Sequence, residues 1–282
     1  MANFLSRRDL LCRAGIAAGS ALVPRFASAL MASSTSPIRL GIASYTFRKF
    51  NQDQLIDYMH QLKTPYLNLK DVHLPMTPAD DVPKQTAKYH AAGLTLTAAG
   101  TIYFPKDEDD DIRQKFDYVK AAGIPIIVGS PTHESIGRVE SFVKKYDIKL
   151  AIHNHGPEDK QWPSPHDILK VVGKMDKRMG CCVDVGHATR AGDDIPSVLR
   201  EVGPRLFDMH MKDLADPHKK ESQCDVGDGV MPVRKIFEAL IAMKYPGNVD
   251  LEYEINDDNP LPGVLKSFAF MRKTLAEMGY TA

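Results

Sequence analysis

The chain has 282 residues, 43% of them hydrophobic and 26% charged, and its 36 basic residues balance 36 acidic ones. Such a composition excludes a disordered chain and supplies enough apolar surface for one substantial core. It offers no basic excess for a phosphate backbone, so a nucleic-acid partner is not expected.

The N-terminus carries a separate signal. Ser6-Arg7-Arg8-Asp9-Leu10-Leu11 resembles a twin-arginine export motif; a mildly apolar run from Ala14 to Val23 and a small-residue cleavage site, Ala27-Ser28-Ala29, follow it. Residues 1–29 are therefore expected to be a removable signal peptide, and the protein to be periplasmic or otherwise exported. They hold four arginines against Asp9, so the remainder carries 32 basic and 35 acidic residues, a net charge of −3. Cys12 precedes the apolar run and is not placed for lipid attachment. Cys181, Cys182 and Cys224 are an odd set, better suited to packing than to a disulfide framework. No later apolar run approaches the roughly 18 residues of a membrane span.

Residues 30–37 (LMASSTSP) read as a flexible lead-in, and residues 38–282 as one catalytic domain. Strand and helix then alternate without a break. Strands are expected at 38–43, 66–70, 94–100, 125–129, 149–153, 180–184, 205–210 and 249–254. The helices between and after them fall near 52–62, 83–92, 107–122, 133–146, 165–175, 194–202, 231–243 and 262–278. Asp107 to Asp110 suit the positive end of the third helix dipole, and Ser164-Pro165 suit the start of the fifth. Eight strand–helix units in about 250 residues point to a single (β/α)8 TIM barrel. The alternative, an open doubly wound sheet, lacks a Gly-x-Gly-x-x-Gly after the first strand.

In such a barrel, chemistry gathers at the C-terminal strand ends. The second half fits that rule, with His153 and His155, Asp184 and His187, His210 and Lys212, and Glu252 and Glu254 at four successive ends. Residues two apart on a strand share a face, which turns the pairs 153/155, 210/212 and 252/254 inward together. Imidazoles and carboxylates from four strands suit one divalent ion such as Mn, Co, Fe or Zn.

The sequences CCVDVGH (181–187), LFDMHMKD (206–213) and VDLEYE (249–254), in that order, resemble the xylose-isomerase-like TIM barrels, the sugar phosphate isomerases/epimerases, and an exported subgroup of them. The resemblance covers 38–278. It implies one metal held by Glu, Asp, His and Glu, and it carries the last three onto Asp184, His210 and Glu252. At the first position the family's Glu before Asn-His is replaced by His153-Asn154-His155. His153 as ligand lowers the negative charge of the site and removes one of the two carboxylates that family epimerases use as an acid/base pair. Glu254, His155 or His187 would then serve beside Glu252, with Lys212 also facing the cavity as a catalytic or substrate-binding group.

The reaction implied is proton abstraction next to a carbonyl on a non-phosphorylated sugar or keto-sugar, giving isomerisation or epimerisation. Elimination by a keto-glycoside lyase or hydratase is an alternative outcome at the same metal. Arg190 and His73 are further candidates for substrate binding, and Tyr103 and Trp162 for stacking on a sugar. Gly227-Asp228-Gly229 is expected to let the loop after His210 fold over the site. A non-catalytic sugar-binding barrel and an endonuclease-type barrel with several zinc ions are competing readings. A homo-oligomer is compatible with each.

Overall fold

The computed structural model describes residues 34–281; the expected signal peptide, residues 1–29, lies outside them. Eight parallel strands form a closed barrel: β1 (Arg39–Ala43), β2 (Tyr66–Leu69), β3 (Thr95–Phe104), β4 (Ile126–Pro131), β5 (Lys149–His153), β6 (Met179–Asp184), β7 (Leu206–Met211) and β8 (Asn248–Leu251). Closure runs through β8, which pairs with β1 at Asn248↔Arg39 and with β7 at Asp250↔His210. Between the strands lie α1 (Gln52–Leu62), α2 (Val82–Ala91), α3 (Asp109–Ala121), α4 (Ile136–Tyr146), α5 (Pro165–Val172), α6 (Val185–Arg190), α7 (Ile195–Val202) and α8 (Val233–Ala242), with α9 (Leu261–Glu277) closing the ring.

Local chemistry explains the boundaries. Asn51 caps α1 by accepting from Gln54 N while the Gln54 side chain accepts from Asn51 N, which satisfies two otherwise orphaned donors. Ser164 caps α5 with Pro165 in its first turn. The short helix α6 was not expected from sequence. Its N-cap is Asp184, whose Oδ1 accepts from His187 N at 2.8 Å, so the Asp-x-Gly-His run is a helix start as well as a strand end. Residues expected to be a loose lead-in are partly ordered: Ser34–Thr35 pairs in parallel with Tyr280–Thr281.

The main core lies between barrel and helices, where outward-facing strand residues such as Ile42, Leu67, Leu150 and Ile152 meet Leu55, Met59 and Phe116. A second, small cluster of Ala98, Val128, Ala151, Cys182 and Phe207 is separate from it. Strand alternation puts that cluster inside the barrel, because Ala151 and Cys182 are each two residues before His153 and Asp184. The three cysteines of the described residues are free.

The loop after β7 is tied down by one buried carboxylate. Asp213, 1% exposed, accepts from the backbone N–H of Gly227 (2.8 Å), Gly229 (3.2 Å), Met231 (3.0 Å) and Leu214 (2.9 Å). Gly227 has φ +103 and a Cβ there would lie 2.3 Å from the Phe270 ring, so only glycine fits. Gln223, in the same loop, donates to Glu252 O at 2.6 Å and accepts from Glu254 N at 3.0 Å. The loop thus buttresses the strand end that carries Glu252. Replacing Asp213 with Ala should leave four donors short of an acceptor, lower stability by about 1–3 kcal/mol, and open residues 215–231 to trypsin. Urea denaturation and limited proteolysis read both effects, and unchanged proteolysis would dismiss the clamp.

Candidate metal centre

Four side chains converge at the C-terminal mouth. His153 ends β5, Asp184 ends β6, His210 lies on β7 and Glu252 follows β8; they are 2%, 0%, 1% and 7% exposed. One ligand atom from each lies within 4.8 Å of all the others. His153 Nε2 is 3.0 Å from His210 Nδ1, 3.8 Å from Asp184 Oδ2 and 4.0 Å from Glu252 Oε2, and His210 Nδ1 is 3.1 Å from Glu252 Oε2. Ligand atoms bound at about 2.1 Å stand roughly 3.0–3.4 Å apart, so two contacts already have that spacing and the others are slightly wide. Asp184 Oδ2 makes no hydrogen bond; its one close partner is the Lys212 ammonium at 3.0 Å. Two imidazole nitrogens and two carboxylate oxygens suit Zn, Fe(II), Co or Mn, and the residues fit a single divalent ion.

Electrostatics within the chain hold this set together. Burial works against protonating Lys212, but Asp184, Glu252 and Glu254 outweigh it and hold the ammonium charged well above its ordinary range. Its Nζ lies 2.9 Å from Glu252 Oε2 and 2.5 Å from Glu254 Oε2. Burial likewise opposes ionisation of Glu252, yet Lys212, His210 and His153 keep it ionised well below the usual carboxylate range. Burial disfavours the His210 cation too, but Glu252, Asp208 and Asp184 raise it to about 9. Burial, with the neighbouring His155 and His210, pushes His153 well below 6.5 and leaves it neutral. His210 Nδ1 thus lies within hydrogen-bond distance of both Glu252 Oε2 and His153 Nε2, and a bound ion would have to displace a proton held there.

Supporting residues came less readily from the sequence. Asn154, between the two histidines, donates to Asp184 O (3.0 Å) and accepts from Asp184 N (2.9 Å), fixing β6 against β5. Asn68 Nδ2 on β2 is 3.0 Å from Asp208 Oδ2 and 3.1 Å from His210 Nε2. Its Oδ1 has no partner; a turn of the amide lets that oxygen accept from Nε2–H when Nδ1 is the ligand. One layer deeper, burial raises Asp208 to about 6, and burial together with Asp208 raises Asp250 well above the carboxylate range, so the pair shares protons. Gly41 is required there, since a Cβ would meet Asp250 Oδ1 at 2.0 Å. The usable signal was the inward triplets Asp208-His210-Lys212 and Asp250-Glu252-Glu254.

The other candidates divide. His155 lies past the end of β5, its ring 4.4 Å from that of His153, stacked on the half-exposed Tyr103 at 6.1 Å, with Nδ1 in a close but poorly directed contact with Asp159 at 3.1 Å. His187 is 6.1 Å from His153 and 6.0 Å from His155, ring to ring, and burial lowers its pKa. Arg190 Nη1 is 3.5 Å from His187 Nδ1, and Nη2 is paired with Glu158. His73 stands elsewhere than expected for a substrate ligand: it is 2% exposed, with Nδ1 on Ser44 Oγ and Nε2 on the Phe47 and Phe50 carbonyls, each at 3.1 Å. Trp162 is likewise no stacking platform; it is fully buried and donates to Pro131 O at 2.6 Å. Tyr103 does face a cavity of about 350 Å³ beside His155, lined also by Ser130, Asp159 and Gln161.

A buried cluster of two histidines and two carboxylates that could hold a metal ion lies at the C-terminal mouth of a closed eight-stranded TIM barrel. The model of the family described as xylose isomerase-like TIM barrel matches residues 56–274, and the chain belongs to that family. An inosose dehydratase of Lactiplantibacillus plantarum is 25% identical over 152 residues, 47% of this chain and 50% of the relative; the chain thus matches about half the length of its curated relatives. Among solved structures, the IOLI protein with a binding zinc atom superposes with TM-score 0.68 at 14% identity, covering 85% of this chain and 99% of that one. The 3-keto-D-glucoside 4-epimerase of E. coli gives TM-score 0.66 at 15% identity, covering 84% and 99%. These likenesses share the fold.

The geometry can be tested at two residues. Asn68→Ala should weaken metal binding by about 10- to 100-fold with the fold retained, as read by calorimetric titration with Zn(II) and circular dichroism. For His73, burial comes first among the causes and lowers its pKa below 6.5. A depressed folded pKa means its stabilising contribution is complete above about 6.5 and is lost as pH falls toward the folded value. His73→Gln should flatten the decline in urea midpoint below that pH, and an unaltered pH profile would count against this assignment.

Proposed function

We propose that the protein is a metal-dependent enzyme that removes the proton beside a carbonyl of a non-phosphorylated sugar or keto-sugar and expels the β-hydroxyl, a dehydratase or lyase. The observation that carries this reading is the two-sided site: the imidazoles of His155 and His187 on one side of the cluster, that of His187 lowered in pKa by burial, and the Lys212 ammonium among three carboxylates on the other. A bound divalent ion would supply Lewis-acid polarisation of the carbonyl, held by His153, Asp184, His210 and Glu252. His155 or His187 accepts the proton from carbon. The β C–O bond then breaks, and Lys212, resupplied through Glu254, donates the proton that lets the oxygen leave as water. The half-exposed Tyr103 offers a face to the rest of the substrate.

The names of the relatives support a polyhydroxylated ketone as substrate, with inosose dehydratase among them. A sugar without phosphate is supported by the engagement of nearby cations. Arg190 is paired with Glu158, and Lys70 with Thr101 O at 2.5 Å. Epimerisation is the second reading, since an acid and a base on opposite sides also serve proton return to the other face, and one structural neighbour is named a 4-epimerase. Export through the twin-arginine route completes the proposal, because a periplasmic enzyme seldom meets sugar phosphates. Asp184→Asn should lower bound metal at least about tenfold, measured by elemental analysis. Incubation of the wild type in D₂O with inosose and 3-keto-glucosides should place deuterium beside the carbonyl or yield the dehydrated product. Unchanged metal content in the variant, or no exchange with any of these ketones, would overturn the reading.

A further inference from the structure

A cavity of about 680 Å³ opens at the opposite, N-terminal mouth of the barrel, within the roughly 300–1,000 Å³ typical of small-molecule sites. It exists because the barrel is underfilled there. Ala98, Ala151 and Cys182 occupy inward positions where barrels of this class generally carry bulky branched side chains. Phe207 and Tyr245 form apolar walls. Gly180 lets the Phe207 ring lie flat, since a Cβ would meet it at 2.5 Å.

Three cations, Arg39, Lys149 and Lys244, line the cavity together with one carboxyl, the buried Asp208. Arg39 is held over Tyr66 at 5.5 Å and Lys149 over Phe207 at 5.0 Å. Among the described residues, no carboxylate forms an ion pair with any of the three. Deeper in, Asn248 is 6% exposed and its Oδ1 has no hydrogen-bond partner, and Thr97 Oγ1 is buried and equally unpartnered; both line the cavity.

We propose that this mouth is a second binding site, for a small aryl carboxylate. The carboxylate meets the cationic rim and the ring lies between Phe207 and Tyr245. Lys149 and His153 stand at opposite ends of β5, about 13 Å apart along an extended strand, so the two sites are distinct. The site does not depend on the reaction proposed above.

The test is fluorescence titration of the full chain with 8-anilinonaphthalene-1-sulfonate, displaced by 4-hydroxybenzoate. Saturable binding is expected, reversed by 4-hydroxybenzoate and not by the uncharged benzyl alcohol. The Lys149→Glu/Lys244→Glu double variant should bind at least about tenfold more weakly. A control with the same charge change on exposed helix positions, Lys235→Glu/Lys273→Glu, should bind as wild type, and so should Asp184→Asn. Circular dichroism confirms that each variant is folded. Absence of saturable binding, equal weakening in the charge control, or loss of binding in Asp184→Asn would each overturn the proposal.

Discussion

The structure depends on keeping a buried ammonium surrounded by carboxylates. Lys212 is 3% exposed and touches Asp184, Glu252 and Glu254. An unpaired charge at that depth would cost several kcal/mol, so every element that brings one of these groups must be held in register with the others. Asn154 fixes Asp184 through its backbone, Gln223 fixes Glu252 and Glu254 through theirs, and Gly186 admits the Lys212 stem, where a Cβ would stand 3.1 Å away. The loop after β7 is ordered by Asp213 for the same end. The charge layer thus explains features that look unrelated in the sequence.

The same constraint divides the mouth chemically. On the Lys212 side three carboxylates, Asp184, Glu252 and Glu254, face two cations, Lys212 and His210. On the other side His153, His155, His187 and Tyr103 form a cluster of rings, and burial keeps His153 and His187 neutral. Exchange of the family's glutamate for His153 carries this division into the candidate metal site, which has two imidazoles and two carboxylates. A carboxylate at position 153 would raise to four the carboxylates set against Lys212 and His210.

Much of the barrel could be read from period and punctuation. The edges of α1, α5 and β5 coincide with an asparagine cap, a Ser-Pro start and a run ending in His153, all local signals. The chemically loaded strand ends were legible because a period of two is a property of one strand. Asn68 was not legible, because its partners Asp208 and His210 lie 140 and 142 residues away. Asp213 was hidden because a carboxylate collecting four backbone donors has no pattern of its own. His73 misled because a histidine after a strand looks alike whether it faces substrate or, as here, ties a turn to the carbonyls of Phe47 and Phe50. Trp162 misled for a parallel reason: its loop position suggested a platform, but packing on His133 and a bond to Pro131 O bury it.

The interior layers also account for where the barrel is full and where it is hollow. The upper layer is ionic and must be closely surrounded, so the layer beneath it is polar, with Asn68, Asp208 and Asp250 linking His210 downward. Asp250 in turn excludes any side chain at position 41, and the inward cluster below holds the small Ala98, Ala151 and Cys182 beside Val128 and Phe207. Large aliphatic residues in that middle layer would compete for space with the proton-sharing carboxyl pair that supports His210. The bottom of the barrel consequently has few of the branched side chains that usually plug it, Val128 among them, and the open lower mouth is a structural consequence of the site built at the upper one.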